Sequence, residues 1–278
     1  MSSVTISQAL AAAYPEIDGI DAILLLRHVL SVNHAFLLTH SDQALTVQQF
    51  EKFSSLVQQR IEGLPVAYLI GERAFFDLTF KVTEAVLIPR PETELLVEWA
   101  LGLIPSQKFC KVLDLGTGSG AIGISIAKHR PQAQVIAVDL SPAAIDICQS
   151  NAEILEVANL NTIRGNWFDE LSGEKFDLIV SNPPYVAEDD PHLQQGDLRF
   201  EPEMALSAGK HGMACITHII NAAPDYLSQE GWLLLEHGYD QAEVCRQLLR
   251  DKDFSNICSY PDLAGIMRVS GGQLSSSI

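Results

Sequence analysis

The stretch Lys111–Gly120 reads KVLDLGTGSG, an apolar segment that runs directly into a glycine-rich turn. Its first half, Lys111–Leu115, has the length and composition of a buried strand. Ala121–Lys128 follows with the apolar spacing of a helix. The glycines between strand and helix let the backbone turn sharply and approach a bound molecule closely, because glycine has no Cβ atom. This order predicts the first unit of an α/β sheet, with a ligand site where the strand ends.

Strands and helices continue to alternate after this turn. We predict strands at Gln134–Leu140, near Thr162-Ile163, at Phe176–Ser181 and at Gly231–Glu236, helices at Pro142–Leu155 and Gln241–Leu249, and a closing strand pair at Ile257–Tyr260 and Ile266–Ser270. A polar tail rich in Gly and Ser is expected to follow, and it contains Gly271-Gly272-Gln273. The alternation predicts an α/β fold with a mostly parallel sheet and helices on both faces.

The amino-terminal part of the chain has a different pattern. Residues 1–72 are predicted to form a small helical bundle, in which Thr46 and Gln49 have the spacing of a capping box. Residues 73–90 are predicted to form a β-hairpin link with its turn near Thr83-Glu84, and residues 91–278 the main domain. The bundle contains no cluster of catalytic residue types, so its expected role is substrate docking or packing.

A carboxylate from the second strand of the sheet is expected at the ligand site. Asp139 ends that strand, where it can accept hydrogen bonds from both hydroxyls of a ribose. Two cofactor classes fit the glycines. Gly118–Gly123 matches G-x-G-x-x-G, which is typical of dinucleotide binding. Asp114–Gly120 matches D-x-G-x-G-x-G, which looks like the methyltransferase loop that holds an amino-acid tail. A glycine-rich turn without a ligand is the third interpretation.

The motif Asn182–Tyr185 (NPPY) directly follows the strand Phe176–Ser181 and therefore belongs to the same edge of the sheet. Its two prolines have no N–H group, so they stiffen the loop and leave carbonyls free. The Asn182 side-chain oxygen and the Pro183 carbonyl can each accept one hydrogen of an –NH2 group, and the Tyr185 ring can lie against its flat face. The motif predicts a site for a planar amide or exocyclic amine and favours a methyltransferase. We predict Asn182, Pro183 and Tyr185 as the catalytic residues, and no metal.

The composition narrows the class of partner. The formal net charge of −17 disfavours binding to nucleic acid through its phosphates and suits a basic protein partner. The five cysteines lack the spacing of metal ligands. The amino terminus is acidic and has no basic n-region, which argues against a signal peptide. No apolar run approaches the ~20 residues that span a bilayer. We expect a soluble cytoplasmic protein with no membrane partner.

The motifs resemble those of the HemK-type protein glutamine methyltransferases, specifically the release factor glutamine methyltransferases. The resemblance covers almost the whole chain and rests on Gly71–Phe76, Ile88–Glu94, Asp114–Gly120, Gly165–Phe168, Asn182–Val186 and Asp190–Leu193. It implies a Rossmann-like class I methyltransferase domain behind a helical domain and a β-hairpin. It also implies S-adenosylmethionine as cofactor, S-adenosylhomocysteine as its product, and the glutamine of a Gly-Gly-Gln loop in peptide-chain release factors as substrate.

The resemblance also assigns site residues. The implied cofactor contacts are Gly116, Thr117, Gly118, Ser119, Gly120, Asp139, Trp167 and Asn182, and the implied glutamine contacts are Asn182, Pro183, Pro184 and Tyr185. The assignment of Trp167 comes from the resemblance alone, because an isolated aromatic after a strand otherwise indicates core packing.

Four alternatives are kept. A sister group methylates a ribosomal protein of the large subunit, but it has cysteine at the position of Gly116. A nucleic-acid amino methyltransferase also uses an NPPY-type loop, but it should show a basic, aromatic-rich groove. A non-catalytic cofactor-binding subunit would not need the complete Asn182–Tyr185 motif. A nicotinamide-dependent oxidoreductase would need a proton donor that the motifs do not supply.

Overall fold

The computed structural model describes residues 4–275, which divide into two compact units. The first unit contains the chain up to Glu72 together with Gln194–Phe200. The second contains Arg73–Leu193 and the chain from Glu201 onward. The boundary predicted after residue 72 falls at this division. The assignment of Gln194–Phe200 to the first unit has no counterpart in the sequence prediction.

The first unit is a helical bundle. Its helices are α1 (Ile6–Ala13), α2 (Gly19–Leu30), α3 (His34–Thr39), α4 (Val47–Ile61) and α5 (Val66–Ile70). The predicted capping box at the start of α4 is confirmed, because the Gln49 N–H donates to Thr46 Oγ1 and the Thr46 N–H donates to Gln49 Oε1. The helices pack their apolar faces around Ile6, Leu25 and Leu26, which are fully buried. Burial of these faces stabilises the bundle.

Arg60 connects the two chain segments of the first unit. Its Nε donates to Asp21 Oδ2 at 2.7 Å, and its Nη1 donates to Asp197 Oδ1 at 2.9 Å. The guanidinium is half-buried, and these two carboxylates raise the pKa of Arg60 although burial acts in the opposite direction. The ion pairs explain why a short segment distant in sequence is part of the helical unit.

The β-hairpin is part of the second unit and is not a separate linker. Its strands are β1 (Glu72–Phe75) and β2 (Leu78–Lys81), so the hairpin turns at Phe76-Asp77. The predicted turn near Thr83-Glu84 exists, with the Val86 N–H donating to the Thr83 carbonyl, but it follows β2 and does not join the two strands. The turn begins at Phe76 with a φ of 57°, and the Phe76 N–H donates to Glu94 Oε1. Phe75 and Phe80 meet edge to face inside the core of the second unit. Tertiary packing therefore decides where this hairpin turns.

A seven-stranded sheet organises the second unit. Its strands are β3 (Cys110–Leu115), β4 (Ala133–Asp139), β5 (Leu160–Arg164), β6 (Phe176–Ser181), β7 (Leu227–Glu236), β8 (Phe254–Pro261) and β9 (Met267–Leu274). They lie in the order β5-β4-β3-β6-β7-β9-β8. The strands from β5 to β7 are parallel, and β9 is antiparallel to both β7 and β8. The predicted α/β fold, mostly parallel with a closing strand pair, is confirmed.

Helices cover both faces of this sheet. The helices of the second unit within the described residues are α6 (Glu94–Leu103), α7 (Ala121–His129), α8 (Pro142–Ile154), α9 (Glu203–Leu206), α10 (Ala214–Ala222) and α11 (Ala242–Arg250). Side chains alternate along each strand, so Val112 packs on the face with α6 and α7, whereas Leu113 packs on the face with α10 and α11. No helix in residues 4–275 combines the length and the hydropathy needed to cross a bilayer.

The predicted Gly/Ser tail is a strand as far as Leu274. Gly271 and Gly272 lie in β9 and are buried between β7 and β8, so the expectation of a polar tail there was wrong. A Cβ atom on Gly271 would lie 2.4 Å from the Leu233 carbonyl oxygen, which is closer than packing allows. The Gly-Gly-Gln tripeptide of this chain is therefore explained by strand packing.

Candidate active site

A cavity of about 320 Å³ lies where the parallel strands β3 to β6 end. This is the edge at which open α/β sheets bind ligands, and the volume is in the range of small-molecule sites. The lining residues are Ala85, Val86, Leu87, Gly116, Gly118, Val138, Asp139, Leu140, Ser141, Ala144, Gly165, Asn166, Trp167, Asn182, Pro184, Pro202, Met204, Ala205, Ser207 and Cys215. Residues that are far apart in the sequence meet here because four strands end side by side.

The glycine-rich loop connects β3 to α7 in a backbone conformation that favours glycine. Gly116, Gly118 and Gly120 have φ values of 70°, 56° and 84°, which are in the left-handed region. Gly116 and Gly118 face the cavity, and the space where Gly118 would carry a Cβ atom is open. A Cβ atom on Gly120 would lie 2.6 Å from Ile124 Cδ1, so this glycine permits close packing of the loop on α7.

Asp114 holds the glycine-rich loop from inside the core. Its Oδ2 accepts hydrogen bonds from Thr117 Oγ1 at 2.6 Å and from the Gly123 N–H at 3.0 Å. Its Oδ1 is buried without a hydrogen-bond partner among residues 4–275. Burial raises the pKa of Asp114 to about 6, against the lowering effect of the two donors. The carboxyl is thus a fixed structural link between strand and helix.

Asp139 brings a carboxylate to the cavity from the end of β4. Its Oδ2 accepts from the Gly118 N–H and its Oδ1 from the Ser141 N–H, both at 2.9 Å. These bonds orient the carboxylate, and the remaining lone pairs of each oxygen are available to a ligand hydroxyl. Burial raises the pKa of Asp139, and the backbone donors oppose that shift. The arrangement suits recognition of a ribose.

Trp167 lies beside the glycine-rich loop, on the cavity wall. A Cβ atom on Gly116 would be 3.6 Å from the Trp167 ring. The Trp167 backbone has a φ of 54°, a conformation unusual for a bulky residue. The next residue, Phe168, turns away into the core and stacks on Tyr226. Of these two successive aromatic residues, Trp167 therefore lines the cavity and Phe168 packs in the core.

The nitrogen of the Asn182 side-chain amide is hydrogen-bonded within residues 4–275, whereas its oxygen is not. Its Nδ2 donates to Thr93 Oγ1 at 3.1 Å. Its Oδ1 has no donor among the described residues, and Asn182 lines the cavity. The orientation leaves an acceptor available to a ligand –NH2 group. Pro183 is buried, and Pro184 lies on the cavity wall.

Tyr185 is held through its hydroxyl. The hydroxyl donates to Glu236 Oε1 at 3.2 Å, and burial followed by the nearby Glu236 charge raises the pKa of Tyr185. Glu236 is the last residue of β7 and is almost completely buried. This hydrogen bond fixes the hydroxyl end of the Tyr185 ring, so the ring has little freedom to move.

The segment after residue 200 lines the cavity beside the NPPY loop. Glu201 has a fully buried side chain that accepts from Arg90 Nη2 at 2.5 Å. Ser207 pairs with Val186 through an isolated bridge. These contacts hold Pro202–Ser207 against the loop. The segment has no motif of its own, and sequence reasoning did not find it.

The structure thus brings together part of the predicted set. Of the predicted residues, those on the cavity wall are Gly116, Gly118, Asp139, Trp167, Asn182 and Pro184, whereas Thr117, Ser119, Gly120, Pro183 and Tyr185 are not among the lining residues. Thr117 turns to Asp114, and the Ser119 carbonyl accepts from Asn151. Sequence reasoning missed Ala85–Leu87 on the wall and Thr93 behind it. The neighbouring motif Ile88–Glu94 was the signal that pointed to this region.

The cavity fits a cofactor that combines a nucleoside with an amino acid. The bare backbone at Gly118 leaves room for an extended chain, the Asp139 carboxylate suits ribose hydroxyls, and Leu140 and Ala144 supply apolar surface. A pyrophosphate would meet the negative charge of Asp139 and no basic side chain on the cavity wall described here. The residues present therefore fit S-adenosylmethionine better than a dinucleotide.

Solved structures share this fold. A methyltransferase from Pyrococcus furiosus aligns with a TM-score of 0.55 at 16% identity, covering 80% of this chain and 99% of that one. A T. thermophilus 16S rRNA methyltransferase in complex with AdoMet and guanosine aligns with a TM-score of 0.55 at 21% identity, covering 73% of this chain and 49% of that one. The second unit therefore has the fold of the class I methyltransferases, with its cavity at the strand ends.

Sequence relatives and family models are more specific. The family model "Methyltransferase small domain" matches residues 92–197, and "PrmC N-terminal domain" matches residues 4–71. A "Release factor glutamine methyltransferase" of Xylella fastidiosa is 48% identical over 264 residues, covering 95% of this chain and 96% of the relative. The relatives of the same name from Vibrio cholerae and Escherichia coli are 45% and 44% identical, covering 98% and 96% of this chain, and 97% and 95% of the relatives. The chain belongs to the release factor glutamine methyltransferase family.

Proposed function

We propose that this protein transfers a methyl group from S-adenosylmethionine to the side-chain amide nitrogen of the glutamine in the Gly-Gly-Gln loop of a peptide-chain release factor. The observation that carries the proposal is the orientation of Asn182, whose Nδ2 is bound to Thr93 and whose Oδ1 is an available acceptor at the cavity. The name of the relatives supports the release factor as the source of the amide. Such a substrate implies a cytoplasmic enzyme.

The chemistry of an amide explains why acceptors are needed. An amide nitrogen is a weak nucleophile because its lone pair is delocalised into the carbonyl. We propose that Asn182 Oδ1 accepts one hydrogen of the glutamine –NH2 and the Pro183 carbonyl the other. Both bonds increase electron density on the nitrogen and aim it at the reacting carbon. Orientation of this kind contributes up to ~7–11 kcal/mol to lowering a barrier.

Tyr185 is proposed to complete the amide site. Its ring, anchored by the hydroxyl bond to Glu236, provides a flat apolar surface for the planar amide. A ring held at both ends loses little freedom when the substrate binds, so the geometry is set before the reaction. The amide nitrogen becomes acidic as the new bond forms, and its proton can leave to water without a dedicated base.

The cofactor is proposed to lie along the glycine-rich loop. S-adenosylmethionine supplies an electrophilic methyl group on a sulfonium centre when it is bound. The backbone at Gly116 and Gly118 is proposed to hold its amino-acid part, Asp139 its ribose, and Trp167 to pack against it from the wall. Thr117, Ser119 and Gly120 are proposed to act by shaping the loop, since their side chains or backbone are engaged within the protein.

The test compares three substrate classes in parallel. Purified protein is incubated with S-adenosylmethionine labelled in the methyl group and with a release factor, a large-subunit ribosomal protein or DNA and RNA. We expect label in the release factor, and its loss when the Gly-Gly-Gln glutamine is changed to glutamate, because that change removes the –NH2 group. Stronger labelling of the ribosomal protein or of nucleic acid would assign the enzyme to the corresponding alternative.

A further inference from the structure

The connection from β7 to α11 contacts Tyr185 at two places. Glu236, the last residue of β7, accepts a hydrogen bond from the Tyr185 hydroxyl. Gln241, which directly precedes α11, donates from its Nε2 to the Tyr185 carbonyl at 3.0 Å. Gln241 is only 9% exposed, so this bond forms in a mostly buried environment. The side chain and the backbone of Tyr185 are thus both held by one short segment of the chain.

The direction of the Gln241 side-chain amide is set by its backbone partners. Its Oε1 accepts from the Gly238 N–H at 2.8 Å. Its Nε2 donates to the Tyr185 carbonyl and, at 3.5 Å, to the Gly212 carbonyl. A backbone N–H only donates and a carbonyl only accepts. A flipped amide would place donor against donor and acceptor against acceptor, so Gln241 has a single favourable orientation.

Close packing on Gly212 confines the same carbonyl. A Cβ atom on Gly212 would lie 2.2 Å from the Tyr185 carbonyl oxygen, and Gly212 has a φ of 66°. Glycine at this position lets the two backbone segments approach each other closely. The Tyr185 carbonyl is therefore bound by Gln241 and packed against the Gly212 backbone.

A displacement of Tyr185 would be passed on to the rest of the NPPY loop. Pro183 and Pro184 have fixed φ angles, and a residue that precedes a proline is also restricted in ψ. The segment from Asn182 to Tyr185 therefore has few torsions that can absorb a movement. The position of Tyr185 thus affects the direction of the Pro183 carbonyl, which is one of the two acceptors proposed for the substrate –NH2.

We propose that Gln241 is a positioning residue for methyl transfer, which holds the exit of the NPPY loop through the Tyr185 carbonyl. The proposal rests on the proposed function, since it assumes that this loop binds the substrate amide. Gln241 is not among the residues that line the cavity. It acts through Tyr185 and is assigned no contact with the substrate or the cofactor.

Gln241→Glu separates this role from a purely structural one. The substitution exchanges the –NH2 group for an oxygen of similar size, so the acceptor for Gly238 is kept and the donor to Tyr185 is lost. With labelled S-adenosylmethionine and a release factor, we expect kcat to fall about tenfold, the scale of one hydrogen bond, while the cofactor affinity measured by calorimetry stays unchanged. A residue that only closes the turn at Gly238 needs the acceptor alone. Gln241→Glu would then keep its full kcat, and that result overturns the proposal.

Two further variants provide a control and a substitute. Gln247→Glu makes the same change on α11 at an exposed side chain that binds Asp251, and it should retain the kcat of the unaltered protein. An equal fall of kcat in Gln247→Glu and Gln241→Glu would overturn the proposal. Gln241→Met replaces Gln241→Glu if the buried charge prevents folding, because it is neutral and also lacks the donor. Its kcat, counted per cofactor-binding site, should fall by a similar factor, and an unaltered value overturns the proposal.

A double-mutant cycle with Tyr185→Phe tests whether both contacts act on the same residue. Tyr185→Phe removes the hydroxyl bond to Glu236 and keeps the ring. Because either contact alone still restrains Tyr185, we expect the loss of both to lower kcat by more than the product of the two separate factors. Factors that simply multiply would show that Gln241 acts elsewhere and would overturn the proposal.

The failure of this proposal and that of the proposed function give different results. Absence of transfer to the release factor by the unaltered protein overturns the proposed function and this role with it. Transfer by the unaltered protein that is fully retained in Gln241→Glu overturns the positioning role alone.

Discussion

The Asn182 side chain carries the most specific chemistry of any single residue in this protein. Its nitrogen is engaged by Thr93 and its oxygen is available at the cavity. An acceptor at this place distinguishes an amide-methylating site from a general cofactor pocket. We propose that this oxygen atom selects a substrate with an –NH2 group, and its removal is the most direct test.

We expect Asn182→Ala to reduce turnover by roughly 100-fold, since one hydrogen bond worth about 1–3 kcal/mol is lost and the line of attack loosens. The measurement is the rate of methyl transfer to a release factor with both substrates saturating. Asn182→Asp keeps two acceptors and should retain partial activity. Near-normal turnover in Asn182→Ala would show that the NPPY loop is a structural turn.

Asp139 is the residue expected to decide cofactor affinity. Asp139→Ala removes the carboxylate that faces the cavity and releases the N–H groups of Gly118 and Ser141. We expect cofactor binding to weaken by about 1.5–3 kcal/mol, the scale of hydrogen bonds to a charged group. Isothermal calorimetry with S-adenosylmethionine measures it. The exposed Asp146 on α8 provides the control Asp146→Ala, and equal affinities of both variants would exclude the assigned role.

The unit of strand, turn and helix formed by β3, the glycine-rich loop and α7 is linked through one buried carboxyl. Asp114 accepts from Thr117 and Gly123 with the same oxygen. An asparagine can keep both of these bonds through its Oδ1 atom while carrying no charge. Replacing Asp114 by asparagine therefore separates the effect of these two hydrogen bonds from the cost of burying a charge.

Asp114→Asn should make stability less dependent on pH. Burial raises the pKa of Asp114 from 3.8 to about 6 in the folded protein, so the folded state holds this proton more tightly than the unfolded state. Stability from this group is present at low pH and is lost as the pH rises through about 6. We expect the unaltered protein to lose up to about 3 kcal/mol more than Asp114→Asn between about pH 4 and pH 7. Urea unfolding at both pH values measures the difference, and identical losses would contradict it.

The whole molecule contains a helical unit whose residues supply nothing to the cavity. Every residue on the cavity wall belongs to the second unit. The hairpin residues Phe75 and Phe80 also belong to the core of the second unit, so a deletion that preserves this core must begin before them. We propose that the first unit is a docking domain for the protein substrate.

A chain that starts at Arg73 should bind S-adenosylmethionine with unchanged affinity but methylate a release factor poorly. The physical reason is that the cofactor contacts remain while the proposed docking surface is lost. Calorimetry and the transfer assay measure the two properties separately. A short Gly-Gly-Gln peptide serves as the control substrate, because it should be methylated equally by both proteins. Full turnover of the shortened chain on an intact release factor would exclude the docking role.

Local sequence determined the strand, turn and helix around Lys111–Gly120, the alternation that follows, and the motif Asn182–Tyr185. These features depend on neighbouring residues: apolar runs make buried strands, glycines allow positive φ values, and prolines stiffen a loop. The resemblance carried by the motifs predicted the family, and the relatives confirm it. The predicted roles of the individual site residues stay predictions.

Tertiary structure decided the features that depend on partners distant in the sequence. Phe76-Asp77 forms the hairpin turn because Phe75 and Phe80 are drawn into a shared core. Gly271-Gly272 forms a strand because β7 and β8 lie on either side. The hydrogen bond of Asn182 to Thr93 and that of Tyr185 to Glu236 form only when the start of α6 and the ends of β6 and β7 lie together. A local sequence pattern does not predict contacts between distant segments. Burial and hydrogen bonding stabilise these contacts only once the segments have come together.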